Sequence, residues 1–118
     1  MRRLLLAFGM LAASAVSAQQ ATTASGAVLR ALDKTSGNTV DITVPSGQGA
    51  RIGRMQVVVK ECRYPAGNPS GDAFVALEVS EVGQAGTVFS GWMIASAPAL
   101  NAMEHPRYDI WVMRCTTS

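Results

Sequence analysis

The chain has 118 residues, with ten basic and eight acidic side chains, one histidine and two cysteines. Its net charge of +2 rests on Arg2 and Arg3; without them the balance is eight to eight, with no basic cluster along the rest of the chain. That balance argues against nucleic acid as a partner, since such binding draws on a basic face that releases counterions, and against a polybasic contact with a membrane surface.

Met1-Arg2-Arg3 is a short basic start, Leu4 to Val16 is an apolar run of signal-peptide length, and Val16-Ser17-Ala18 sets small residues at the two positions a signal peptidase inspects. The expectation is a leader over residues 1–18, cleaved after Ala18, with the remainder periplasmic. The run is shorter than the roughly 20 apolar residues of a bilayer-crossing helix and is dotted with Ser and Gly, so no membrane span is expected after cleavage. What remains is one domain of 100 residues, the 118 less the leader's 18. A domain of that size buries roughly two thirds of its unfolded surface and holds a modest core.

Cys62 and Cys115 are the only thiols. In the oxidising compartment implied by the leader they are expected as a disulfide, closing a loop of about 50 residues at a gain of about 4 kcal/mol on the chain-entropy model. A metal or redox pair fits poorly: there is no Cys-x-x-Cys, and one histidine with two distant cysteines is a meagre ligand set. No metal and no cofactor are expected.

Residues 19–25, rich in Gln, Ala, Thr and Ser, offer nothing to bury and read as a flexible tail ahead of a single β domain over 26–118. Gly26 to Leu32 is the first strand. Asp33 to Asn38 supplies turn residues, and Thr39 to Val44 alternates polar and apolar, which predicts a hairpin with the first. Pro45 to Gly49 breaks the pattern, and Met55 to Cys62 resumes it with a β-branched centre. Arg63 to Gly71, with two prolines and two glycines, reads as a loop. Ala73 to Val79 follows as a strand with Val75, Leu77 and Val79 facing one way. Gly83 to Gly86 turns the chain into a strand from Thr87 to Ala95. Ser96 as a cap, Pro98 in a first turn, and Ala99, Leu100 and Met103 on one face predict a short helix ended by His105-Pro106. Tyr108 to Cys115 is the last strand. Its alternation puts Trp111, Met113 and Cys115 on one face and Ile110 and Val112 on the other, so both faces call for cover. The fold class is all-β: a small antiparallel β-sandwich or barrel with one short helix before the last strand and one disulfide.

Gly91 to Trp111 holds both tryptophans and the only histidine, and so is the place to look for chemistry. Ser90 or Ser96, His105, and Glu104 or Asp109 supply the letters of a serine hydrolase. However, Val88-Phe89-Ser90-Gly91-Trp92 lacks the first glycine of the Gly-x-Ser-x-Gly elbow, and Glu104 and His105 would diverge by about 100° on a helix. Glu104-His105-Pro106 reads instead as a helix end, with His near the negative pole of the dipole. Glu78 and Glu81 read as solvated strand residues rather than a glycosidase pair. The three glycines of Gly47 to Gly53 miss the dinucleotide fingerprint by one residue and read as turns. Trp92, Tyr108 and Trp111 are either core or an aromatic platform for a sugar ring or a partner.

Leu32-Asp33-Lys34 with Thr35 and Gly37, Gly53 and Val57 leading to Cys62, Val88 to Met93, Ala95-Ser96, Pro98-Ala99-Leu100, Glu104-His105-Pro106, Tyr108-Asp109 and Trp111-Val112 together resemble the bacterial family known as domain of unknown function 2155. The resemblance implies an exported, single-domain envelope protein of the alphaproteobacterial kind, and brings no catalytic residues with it. A genomic association of that family, with an accessory subunit of the proton-pumping NADH:quinone oxidoreductase, implies a periplasmic accessory subunit of an inner-membrane complex. The expected function is therefore a non-enzymatic binding or assembly module that meets a protein partner at the periplasmic face of the inner membrane. Its expected surface is Trp92, Met93, Leu100, Met103, His105, Tyr108 and Trp111. The alternative is a small periplasmic hydrolase or glycan-binding protein that uses Trp92, Trp111 and His105.

Overall fold

The computed structural model describes residues 20–117, and the leader expected over residues 1–18 lies outside them. The described residues form eight strands: β1 (Ala21–Thr23), β2 (Gly26–Asp33), β3 (Thr39–Pro45), β4 (Gln48–Ile52), β5 (Met55–Pro65), β6 (Phe74–Glu81), β7 (Phe89–Ile94) and β8 (Tyr108–Thr116). One 3₁₀ turn, Pro98–Leu100, precedes β8.

All pairing is antiparallel. In the larger sheet β6 lies along one side of β5 and β7 beyond it. The other side of β5 is shared, its start by β4 and its end by β1, because β5 is eleven residues long and β4 only five. The smaller sheet runs β3-β2-β8. The β2–β3 hairpin turns where the residues demand it: Gly37 takes φ +80°, and the Asp33 carboxylate accepts the Thr35 N–H at 3.0 Å.

The sheets pack face to face around Leu29, Val44, Met55, Val57, Val59, Val75, Leu77 and Val79, none more than 1% exposed. Burying each of these side chains is worth about 1.5–3 kcal/mol relative to leaving it in water. The architecture is a small antiparallel sandwich. Cys62 and Cys115 form the disulfide, with a Cα separation of 5.8 Å, and so join β5 of one sheet to β8 of the other through the core.

Two β-bulges make that bond possible. On β5, Met55, Val57 and Val59 point inward, and strict alternation would send Glu61 inward and Cys62 out. The register with β6 shifts between Val59 and Glu61, so Cys62 turns into the core at 0% exposure. On β8, Tyr108, Ile110 and Val112 point inward, and alternation would next bury Arg114. Here the register with β2 shifts across Met113, since Val112 faces Leu29 while Arg114 faces Val28, and Cys115 turns in. The expected grouping of Trp111, Met113 and Cys115 on one face is therefore corrected. Only the cysteine is in the core, and the two faces of β8 do not compete for cover.

Four further expectations change. The flexible tail expected over residues 19–25 is in part a strand: Ala21–Thr23 pairs with Arg63–Pro65, and the N–H of buried Ala24 donates to the Cys62 carbonyl at 2.7 Å. The free upper edge of β5 supplies the partner that the tail lacks by itself. For the same reason the segment after Cys62 stays extended to Pro65 before the loop begins. The glycine-rich stretch after Pro45 contains β4, because Gly49 fits against β5, where a Cβ would stand 2.8 Å from Gln56 Nε2. The short helix is reduced to a single 3₁₀ turn whose first cap is Ala97, without a side-chain cap bond. Ser96 is held elsewhere, and Glu104-His105-Pro106 closes no helix.

Candidate functional site

β7 and β8 are both edge strands, one in each sheet, and they run along the same side of the sandwich with the segment from Ile94 to Arg107 between them. A cleft of about 320 Å³ opens there. Met93 and Ile94 line it from β7, Pro98, Ala99, Ala102 and Met103 from the connecting segment, and Ile110, Trp111 and Val112 from β8. Its one charged wall residue is Asp109, 3.5 Å from Lys34 Nζ. The lining fits an open cleft: the small side chains of Pro98, Ala99 and Ala102 leave space unfilled, and two methionines adapt to the shape that remains.

The connecting segment is pinned at both ends. At the first, the Asp72 carboxylate accepts three bonds, from the Ala73 N–H and the Ser96 N–H at 2.9 Å each and from the Ser96 hydroxyl at 2.6 Å. Burial alone would raise the Asp72 carboxyl, but the bonds from Ser96 and Ala73 outweigh it and hold the group below the usual carboxylate range. Asn101 Nδ2 donates to the Trp92 carbonyl at 2.9 Å, and the Ala97 N–H to the Ile94 carbonyl at 3.1 Å. At the far end His105 Nδ1 accepts the N–H groups of Arg107 at 3.0 Å and Tyr108 at 3.2 Å. The ring proton is thus on Nε2, which donates to Glu81 Oε1 at 3.0 Å. The His105 carbonyl in turn accepts Lys34 Nζ at 2.8 Å.

The structure brings three of the seven expected surface residues to the cleft: Met93, Met103 and Trp111. Met93 and Met103 are buried, at 3% and 5% exposed, and Trp111 is half-buried. Trp92 is 42% exposed on the outer face of the larger sheet, opposite Ala76, with the Arg63 guanidinium 5.7 Å from its ring centre. Leu100 is 74% exposed on the 3₁₀ turn and does not line the cleft. His105 is committed to the contacts above. Tyr108 is buried, its hydroxyl against Gly53 and accepting the Arg54 N–H at 3.4 Å. Of Trp92, Trp111 and His105, only Trp111 reaches the cleft, so these three do not make one site there.

The hydrolase letters are likewise apart. Ser96 bonds Asp72, Ser90 stands exposed opposite Glu78, and the side-chain partners of His105 are Glu81 and backbone amides, with no serine among them. Among the described residues no group of three or more His, Cys, Asp or Glu is placed to hold a metal ion. No helix among them is long and apolar enough to cross a membrane. Sequence reasoning missed Asp72, Asn101 and Glu81 as the pins of the connecting segment. Asp72 had a signal, an acidic residue directly before a strand in a Gly-rich loop, whereas Asn101 and Glu81 had none.

Among curated proteins the chain is similar to an uncharacterized protein, RP359, of Rickettsia prowazekii (strain Madrid E). The two are 25% identical over 88 residues, which is 72% of this chain and 57% of that protein. The chain thus spans little more than half the length of this relative. No solved structure matches it. The model of one family, described as uncharacterized protein conserved in bacteria, matches residues 27–115, from the start of β2 to the second cysteine. With that match over nearly all of β2 to β8, the chain belongs to the bacterial family of domain of unknown function 2155.

Proposed function

We propose that this protein is a non-enzymatic binding module of the bacterial envelope that receives an apolar segment of a partner protein in the cleft between β7 and β8. The observation that carries the reading is the cleft: about 320 Å³, open to solvent, walled by methionine, proline, alanine and Trp111, with one carboxylate at its margin. That volume is at the lower end of small-molecule sites, and the lining carries too few polar groups to orient a polar substrate. The inter-sheet disulfide fits an oxidising compartment, and the leader read from residues 1–18 supplies the route there. In this reading the partner is an inner-membrane complex reached from its periplasmic side, with the respiratory NADH:quinone oxidoreductase as the first candidate.

The test is site-specific photocrosslinking in the native envelope. A photoreactive residue at Ala102, in the cleft wall, should crosslink to a membrane-complex subunit. The same residue at Val40, which is 48% exposed on β3, should not. Equal crosslinking from both positions, or none from Ala102, overturns the proposal.

A further inference from the structure

The four lateral edges of the two sheets are not treated alike. On the larger sheet one edge is divided between three-residue β1 and five-residue β4, too short to template another chain. The opposite edge, β7, is closed by its own chain: Asn101 Nδ2 occupies the Trp92 carbonyl and the Ala97 N–H the Ile94 carbonyl. On the smaller sheet β3 ends at Pro45, an edge-blocking residue. β8 is different. It is nine residues long, pairs with β2 alone, and between Asp109 and Arg114 holds the uncharged run Ile110-Trp111-Val112-Met113 with no proline. Alternate residues of an antiparallel edge strand direct their N–H and C=O groups away from the sheet, where they need partners.

The charges on this edge complement a second copy of itself. Met113 is the extra residue of the bulge, so the ladder positions run Asp109, Ile110, Trp111, Val112, Arg114. Asp109, Trp111 and Arg114 lie on the outer face, paired across β2 with Leu32, Arg30 and Val28, while Ile110 and Val112 point to the core. Laid antiparallel about a two-fold axis at Trp111, the edge sets Asp109 opposite Arg114 of the partner subunit and Ile110 opposite Val112 of the partner subunit. Trp111 meets Trp111 of the partner subunit on the axis. Every opposed pair then lies on the same face, as sheet pleating requires, and each end joins opposite charges. Without the bulge, Asp109 and Arg114 would be on opposite faces and the match would fail.

We infer that β8 is a dimerisation edge, through which two copies join their three-stranded sheets into one six-stranded sheet about a two-fold axis. Such an isologous interface uses the same patch twice, as the commonest soluble oligomers do. Asp109, Ile110, Trp111 and Val112 also line the cleft, so a second copy on this edge and a partner segment seated against β8 would compete for the same strand. The inference rests on the register and charges of the strand edge, and sedimentation of the purified protein reads it with no partner present.

The experiment is sedimentation equilibrium of purified, oxidised protein together with its charge-reversed variants. The unmodified chain should show a monomer–dimer equilibrium. Asp109→Arg or Arg114→Asp alone sets like charges opposite each other at both ends of the interface and should weaken the dimer at least about tenfold. The double variant Asp109→Arg/Arg114→Asp restores both pairs with exchanged signs and should recover association, a result that a general surface effect would not give. Trp111→Lys, on the axis, should abolish it. Asp109 is partly exposed and Arg114 exposed, so the monomers should keep their fold, which circular dichroism checks. A monomer at every concentration overturns the inference, as does a dimer indifferent to single reversals or a double variant no better than the singles. A monomer whose β8 amides become protected from hydrogen exchange only with added envelope extract also overturns it, in favour of a strand from another protein.

Discussion

Replacing both cysteines, Cys62→Ala with Cys115→Ala, tests how much of this sandwich depends on its staple. The bond spans a sequence separation of 53 residues. On the chain-entropy model a loop of that size restricts the unfolded ensemble by about 14 cal/mol/K, or about 4 kcal/mol at 25 °C. For a domain of about 100 residues, each kcal/mol moves the melting temperature by roughly 4–8 °C, so the variant should melt on the order of 20 °C lower. The measurement is urea unfolding of the oxidised wild type, the reduced wild type and the double variant. Reduced protein and variant should agree to within about 1 kcal/mol, because alanine leaves only a small void at each buried sulfur position. The urea slope should steepen in both, since an uncrosslinked unfolded chain exposes more surface. The bulges should survive, because a slip in either strand would turn Glu61 or Arg114 into an apolar core. A loss below about 1 kcal/mol with an unchanged slope would refute the entropic account. Amide exchange showing β8 paired to β2 without a shift at Met113 would refute the claim that side-chain pattern encodes the bulges.

Asp72→Asn removes the charge that holds the start of the connecting segment and should cost about 1–2 kcal/mol in urea unfolding. Because the Asp72 carboxyl is held below its ordinary range in the folded protein, its contribution is present above the unfolded value and is lost as pH falls through the folded one. The wild type should therefore lose more stability than Asp72→Asn on acidification through the carboxylate range, and parallel pH profiles would contradict this. Gly53→Ala places a methyl against the Tyr108 hydroxyl at φ +57° and should cost about 2 kcal/mol, measured by thermal melting. In a Tyr108→Phe background the same change should cost less, since the nearest clashing atom is gone. Leu100→Ser, at a side chain 74% exposed and outside the cleft, should shift stability by under about 0.5 kcal/mol.

The strands were legible because their alternation is regular over five to eight residues. Thr39 to Val44 and Tyr108 to Val112 declare both their faces and their ends. β1 was not legible, since Ala21-Thr22-Thr23 has no pattern of its own and becomes a strand only where β5 outruns β4. β4 was obscured by Gly49, a residue that signals a turn in isolation and a close strand crossing in place. The helix expected after Ser96 lost its cap to Asp72, a competitor 24 residues away that no local window contains. For the candidate site, Met93, Met103 and Trp111 were found from rarity and spacing. Trp92 and Leu100 were carried along by proximity in sequence, while Ala99 was read only as part of a helix face and Ala102 was passed over, because small residues carry no chemical signal.

From residue pattern alone come the all-β class, the hairpin at Asp33 to Asn38 and the cysteine pairing, because each rests on neighbours in sequence or on the only two thiols present. The phase of β5 and β8 was also written there, in the odd spacing from Val59 to Cys62 and from Val112 to Cys115, but it needs a bulge to be read. Only the tertiary structure decided which strands lie at the edges, and with that the cleft between β7 and β8 and the edge of β8 that no strand pairs. Strand order is set by which apolar faces fill one core at close-packed density, a property of all the strands together that no single segment carries.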